Sequence, residues 1–366
     1  MKNLTLLIKP ASGSCQYDCE YCFYKDEINL RCEQKPALMG EDTLENLVRR
    51  AFADADNQVN LAFQGGEPTL RGIAFFEKLC ALQKRYSRGK PYSNSLQTNG
   101  GLLDENWAEL LKREHFLVGL SLDGDEEAHD LFRKDNQNNG TWRKTVAAAE
   151  LLKAFDIPFN ILTVISKANV NRGREIYEFL KQYRFLQFIP CLDPMTQGAV
   201  SYAPDPAEYA RFLIETFELY ERDLMNGNYV SVRLFDNYIR ILAGARPESC
   251  AMNGICSVSF TVESDGSVYP CDFYCLDEWK IGNVNAQGFT AMERSETARR
   301  FVNSSVKIEP RCRTCKYYYL CRGGCRRERS ANDALSLNRY CDSYLEFFNA
   351  CHDRLLKLKR LAVPGR

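Results

Sequence analysis

Leu4-Thr-Leu-Leu-Ile8 and, a short polar loop later, Cys15-Gln-Tyr-Asp-Cys19-Glu-Tyr-Cys22 together decide the fold. The first is an apolar run of the length a buried strand needs, and the second places three thiols where that strand ends. The same pattern continues downstream. Apolar runs at Val59 to Phe63, Tyr92 to Gln97, Phe116 to Leu122, Phe159 to Ile165 and Phe185 to Ile189 alternate with segments of helical period such as Thr43 to Phe52, Ile73 to Arg85 and Trp142 to Phe155. Six strand-helix units predict a parallel sheet that stays open or curls toward a barrel, with ligands beyond the C-terminal strand ends. Special residues fall at those ends: Gln64-Gly65-Gly66-Glu67-Pro68 after the second strand, Gln97-Thr98-Asn99-Gly100 after the third and Ser121-Leu122-Asp123-Gly124 at the fourth.

The composition of the 366-residue chain, 45% hydrophobic and 26% charged, is that of an ordinary globular protein. Lysine plus arginine balances aspartate plus glutamate at 48 each, so no global field draws the chain to nucleic acid or an anionic membrane. With no long apolar stretch and no signal-peptide pattern, a cytoplasmic protein is expected. Sixteen cysteines are then the anomaly, because in that compartment clustered thiols mean metal or catalysis and not disulfides. With only three histidines, any metal is held mainly by sulfur, which selects zinc or iron-sulfur clusters.

Three thiolates on a four-iron cluster leave one iron open to a small molecule, whereas a structural zinc knuckle would take a remote fourth ligand. Phe23 after the last cysteine and Gly65-Gly66-Glu67 on the next strand end favour the open cluster. The glycines let backbone approach a ligand, and the carboxylate offers a partner for an ammonium. This combination resembles the radical S-adenosylmethionine enzymes. The resemblance implies that S-adenosylmethionine chelates the open iron held by Cys15, Cys19 and Cys22, and that its cleavage gives a 5′-deoxyadenosyl radical.

Beyond two helical stretches from about Tyr209 to Ala243, the alternation stops. A hairpin over Phe260 to Tyr269, turning at Ser264-Asp265-Gly266, leads into cysteine-bounded pieces too small to bury a core unaided. Cys312-x2-Cys315-x5-Cys321-x3-Cys325 with Cys341 resembles the SPASM domain, which carries two auxiliary four-iron clusters. That pattern assigns Cys250, Cys256, Cys271 and Cys325 to one cluster and Cys312, Cys315, Cys321 and Cys341 to the other, leaving Cys275 and Cys351 as packing or free thiols. Exchange of Cys275 for Cys271 is conceivable, and a zinc ribbon is the alternative for the CxxC spacing.

Ser264-Asp-Gly-Ser-Val-Tyr-Pro-Cys271-Asp272-Phe-Tyr, with Leu6-Leu-Ile-Lys-Pro-Ala-Ser, Phe63-Gln-Gly-Gly-Glu-Pro-Thr, Ser95-Leu-Gln-Thr-Asn-Gly and Cys321-Arg-Gly-Gly-Cys-Arg-Arg, is similar to the anaerobic sulfatase-maturating enzymes from about Leu4 to Phe348. Glu328 stands where some members carry a further cysteine. The resemblance implies oxidation of a cysteine or serine of an unfolded or nascent sulfatase to Cα-formylglycine. It makes Asp272 the base for the substrate thiol or hydroxyl and places Tyr21, Gly66, Ser121, Arg133 and Leu192 around S-adenosylmethionine. It also implies three 4Fe-4S clusters and an electron donor such as flavodoxin or ferredoxin. Each of the non-cysteine residues has a plainer reading, as turn aspartate, core side chain or surface charge.

The fold expected is α/β, a partial (β/α)6 TIM-type barrel over residues 1–208, a helical linker over 209–249 and a C-terminal cysteine-rich iron-sulfur domain over 250–366. A maturase of ribosomal peptides that forms thioether or carbon–carbon crosslinks is the enzymatic rival, lowered by a first strand that starts by Leu4 and leaves no room for a leader-binding domain. A non-catalytic zinc or electron-transfer protein is the rival from another class.

Overall fold

A computed structural model describes residues 1–32, 38–329 and 337–362 of the chain. Among the described residues ten strands run in chain order: β1 (Asn3–Ile8), β2 (Gln58–Phe63), β3 (Tyr92–Thr98), β4 (Leu117–Ser121), β5 (Phe159–Ile165), β6 (Phe185–Pro190), β7 (Ser231–Val232), β8 (Thr261–Val262), β9 (Ser267–Tyr269) and β10 (Gly282–Asn283). All six strands predicted from apolar runs are present, with ends shifted by at most one residue. The residues fall into two compact units, the first made of 1–121, 133–159 and 258–301, the second of 122–132, 160–257 and 302–366.

In the first unit β1 to β4 pair in parallel and in sequence order. Leu4, Leu6 and Ile8 alternate inward on β1 opposite Val59, Leu61 and Phe63 of β2, and all six are buried. Burial of each such side chain contributes roughly 1.5–3 kcal/mol. The connections hold α1 (Phe23–Asn29), α2 (Glu41–Asp54), α3 (Ile73–Tyr86) and α4 (Glu105–Arg113). On α2, Leu44, Leu47, Val48, Ala51 and Phe52 make the apolar stripe that covers the sheet side, at the spacing a helix requires. Asp104 caps α4 by accepting from the Trp107 amide at 2.9 Å.

The hairpin predicted at Phe260 to Tyr269 is the antiparallel pair β8 and β9. The sequence reading did not foresee its partner. β8 lies parallel to the free edge of β1, where the Leu7 and Lys9 amides donate to the Phe260 and Val262 carbonyls at 3.0 and 2.8 Å. This addition puts the loop that follows β9 in the same unit as the three-cysteine loop that follows β1.

In the second unit β5 pairs with β6 and β6 with β7, all parallel. The helices Pro206–Met225 and Arg233–Leu242 bury Tyr209, Phe212, Phe217, Tyr220, Phe235 and Tyr238. Asp205 and Pro206 start the first of them, the aspartate accepting from the Ala207 amide. Phe347 stacks on Phe235 with ring centroids 5.6 Å apart, so the helix Cys341–Ala362, which the sequence reading did not anticipate, closes this aromatic core. No helix among the described residues is long and apolar enough to cross a membrane.

Candidate active site

The chain leaves β1 through Lys9 and Pro10 into the loop of Cys15, Cys19 and Cys22, none of which is in a disulfide. Cys15 Sγ receives the Tyr17 amide at 3.3 Å and the Asn99 side-chain amide at 3.5 Å. Arg133, which was open to a surface reading, is buried beside this loop, with Nη1 4.0 Å from Cys19 Sγ and its guanidinium over the Tyr21 ring at 5.4 Å. Burial, opposed by the Tyr17 amide and helped by the charges of Glu67, Cys19 and Cys22, leaves the Cys15 thiol pushed up to about 12. Three neighbouring thiols that burial and mutual repulsion disfavour as anions fit a cationic cluster, whose charge would add to that of Arg133 in stabilising the thiolates.

Gly66 has φ +54, and a Cβ there would stand 2.2 Å from the Ser14 carbonyl oxygen, so the close approach it permits in this structure is to the cysteine loop itself. Ser121 ends β4 and its Oγ accepts from Gln97 Nε2 at 2.9 Å. Tyr21, Gly66, Ser121 and Arg133 thus lie in the first unit; Leu192 lies half-buried in the second, after β6.

Glu67 departs from the sequence reading. Its carboxylate is fully buried and already committed to protein donors. Oε1 accepts from the Thr69 amide, the Thr69 hydroxyl and the Thr98 hydroxyl at 3.1, 2.6 and 2.8 Å, and Oε2 from the Asn99 amide at 2.8 Å. It ties the end of β2 to the end of β3 and is not an open partner for a ligand ammonium. Burial raises its pKa, an effect these hydrogen bonds oppose. Glu67→Ala leaves several buried donors unsatisfied and is expected to lower the unfolding free energy by about 3 kcal/mol, read from a denaturant midpoint.

Asp272 opens a short helical turn after β9 and is 8% exposed. Its Oδ2 accepts from Tyr24 Oη at 2.8 Å and Gln64 Nε2 at 3.0 Å, while the Lys9 ammonium stands 3.1 Å from Oδ1. Behind it Glu27 and Arg31, one turn apart on or just after α1, hold the peptide of Cys275. Glu27 Oε1 accepts the Cys275 amide at 2.7 Å and Arg31 Nε donates to its carbonyl at 2.6 Å. Arg31 also pairs with Glu263 at 2.7 Å. Glu27, Glu263 and Cys275 form the one group of potential metal ligands within 4.8 Å of one another among the described residues. The Lys9 ammonium and the Arg31 guanidinium already supply its cations.

In the second unit Cys312, Cys315, Cys321 and Cys341 all line one cavity of about 40 Å³, together with Tyr317, Tyr344 and Phe348. Four cysteines lining one apolar pocket are the donor set of a fully ligated cluster. Cys325 is a second focus. Its Sγ receives the Arg327 amide at 3.4 Å, and burial followed by the charges of Glu328, Cys250 and Cys256 pushes its thiol far up. Cys271, the remaining member of that proposed set, belongs to the first unit. Cys275 and Cys351 are buried, Cys275 with its Sγ 3.2 Å from Lys9 Nζ, in keeping with packing thiols.

The Radical SAM superfamily model matches residues 10–180, and the SPASM model, an iron-sulfur cluster-binding domain, matches residues 250–316. The cysteine-type anaerobic sulfatase-maturating enzyme of Clostridium perfringens is 45% identical over 368 residues, covering 98% of this chain and 99% of that protein. The chain belongs to the anaerobic sulfatase-maturating enzyme family. The serine-type enzyme of Bacteroides thetaiotaomicron is 28% identical over 370 residues, covering 95% of this chain and 89% of that one. A solved structure, native anSMEcpe with bound AdoMet and Cp18Cys peptide, matches with a TM-score of 0.93 at 42% identity, covering 99% of this chain and all of the other.

Within this sulfatase-maturating family member, the sequence reading names the cysteines and Asp272 as candidates and gives no role to Lys9, Tyr24, Gln64, Glu27 or Arg31, which the structure brings against Asp272 or Cys275. Two signals were present. Lys9 and Gln64 sit immediately after strands β1 and β2, where a parallel sheet gathers its functional groups, and Glu27 and Arg31 share one helix face at i,i+4 spacing.

Proposed function

We propose that the chain oxidises a cysteine of an unfolded or nascent sulfatase polypeptide to Cα-formylglycine, serine being the lesser substrate. The observation that carries this reading is Asp272, a carboxylate beside the proposed cluster ligand Cys271 whose Oδ2 is shared by Tyr24 and Gln64. Identity of 45% to a cysteine-type enzyme against 28% to a serine-type one supports the substrate preference.

Cys15, Cys19 and Cys22 would hold the cluster that binds S-adenosylmethionine, with Tyr21, Gly66, Ser121, Arg133 and Leu192 around that cofactor. Cys250, Cys256, Cys271 and Cys325 would hold one auxiliary cluster, and Cys312, Cys315, Cys321 and Cys341 the other. When bound, these groups supply one-electron chemistry, reductive cleavage of a sulfonium to a radical able to take hydrogen from carbon. The protein supplies the rest. Asp272 accepts the substrate thiol proton, Tyr24 and Gln64 orient its carboxylate by donating to Oδ2, and the Arg133 guanidinium offsets thiolate charge at the cysteine loop. We assign these roles within a radical domain over 1–208, helices over 209–249 and a cluster domain over 250–366, in a cytoplasmic protein served by a flavodoxin- or ferredoxin-like donor.

The test is anaerobic incubation of the reconstituted protein with S-adenosylmethionine, a reductant and matched cysteine and serine peptides bearing the sulfatase motif. Mass spectrometry is expected to show replacement of the cysteine sulfur by an aldehyde oxygen faster than conversion of serine. A crosslinked product, or none, would reject the reading.

A further inference from the structure

A wholly buried lysine is rare, and Lys9 is 1% exposed. Its ammonium donates to Glu27 Oε2 at 2.9 Å and to Cys275 Sγ at 3.2 Å, and forms an ion pair with Asp272 Oδ1 at 3.1 Å. Glu263 stands at 3.6 Å and is served more closely by Arg31 at 2.7 Å, while the Tyr24 ring lies 4.5 Å from the ammonium. The stem is fixed as tightly as the head. The Lys9 amide donates to Val262, and a Cβ on Gly65 would sit 2.5 Å from Lys9 Cγ, so the first glycine of Gly65-Gly66-Glu67 makes room for this side chain.

Asp272 is therefore gripped from three elements at once. Lys9, at the end of β1, takes Oδ1; Tyr24 of α1 and Gln64, at the end of β2, take Oδ2. Tyr24 and Gln64 share a single oxygen and are 2.9 Å from each other, so these two contacts alone leave the carboxylate plane free to turn about that oxygen. The ammonium on the other oxygen removes that freedom.

We propose that Lys9 is the positioning residue of Asp272, its ammonium locked by Glu27 and Cys275 so that Oδ1 is held and Oδ2 stays presented beside Tyr24 and Gln64. The inference rests on the reading of Asp272 as the substrate base and adds the device that orients it. A misplacement of about 1 Å in such a group costs up to about 10²-fold in rate.

Lys9→Met alone would strand Glu27 in the interior. The working variant is Lys9→Met with Glu27→Gln, which removes one charge of each sign and retains an acceptor for the Cys275 amide. Formylglycine formed per 5′-deoxyadenosine, the kcat and KM for the peptide, iron content and melting temperature are measured for this variant, for Asp272→Asn and for the two combined. The expected result is a formylglycine-to-deoxyadenosine ratio at least about tenfold lower, carried by kcat with peptide KM unmoved, and no further loss when Asp272→Asn is added. A normal ratio, or losses that multiply, would overturn the role of Lys9 while a defective Asp272→Asn still upheld the base. A normal ratio in Asp272→Asn itself overturns both. Should the pair variant not fold, Lys9→Arg, which keeps the charge but moves its donors, decides the matter: a lowered ratio supports the role and a wild-type ratio rejects it.

Discussion

Alanine in place of Cys15, Cys19 or Cys22 is expected to reduce 5′-deoxyadenosine formation to background while about two thirds of the iron stays bound. The three thiols lie on one loop in the first unit, and Cys15 is sensitive to the charges of both others, so each is one third of a single anchor. Four-iron clusters normally take four cysteines, and a three-cysteine site has no spare ligand to lose. The other eight proposed ligands lie outside this loop, four of them around the cavity of Cys312, Cys315, Cys321 and Cys341 in the second unit. Iron and sulfide counting alongside a chromatographic assay for 5′-deoxyadenosine checks both halves. Retained cleavage of S-adenosylmethionine in any one variant would show that the anchor lies elsewhere.

The second large effect is expected at Asp272. Asparagine preserves the size of the side chain and can still accept from Tyr24 and Gln64 at one oxygen, but it cannot take a proton at neutral pH. If the carboxylate is the base for the substrate thiol, formylglycine formation falls by about 10²–10⁴, the usual cost of losing a general base. A turn-stabilising aspartate predicts the opposite, because asparagine serves well in turns. The environment favours the first reading. Asp272 is nearly buried, and its side chain faces a lysine, a tyrosine and a glutamine. Formylglycine yield measured together with iron content distinguishes loss of the base from loss of the neighbouring cluster.

Both candidate sites can be named from the sequence because short, local spacing carries them. Cys15, Cys19 and Cys22 fall within eight residues, and Asp272 adjoins Cys271, so motif and strand position single them out. The shell around Asp272 was not legible, since Tyr24 and Gln64 approach it across sequence separations of 248 and 208 residues and no local pattern announces the meeting. Glu67 shows the converse failure. In sequence it is a carboxylate beside two glycines and free for a ligand; in the fold the Thr69, Thr98 and Asn99 donors had already claimed it. The six long strands β1 to β6 were read correctly from their apolar runs, whereas the short β7 and β10 carry no such signal and the docking of β8 on β1 depends on edge amides that every strand possesses.

That docking also sets a clock. Leu7 pairs with Thr261, about 250 residues later in the chain. A ribosome adding about 5–20 residues per second needs roughly 10 to 50 seconds to cover that interval, and throughout it one edge of β1 has no strand to meet. An unpaired apolar edge is a template for association between chains. Lys9, Glu27 and Arg31 likewise emerge long before Glu263, Asp272 and Cys275, so early burial would strand their charges. The first unit is thus bound to finish late, and its nascent form is the stage at which crowding or a missing chaperone would cost the most yield.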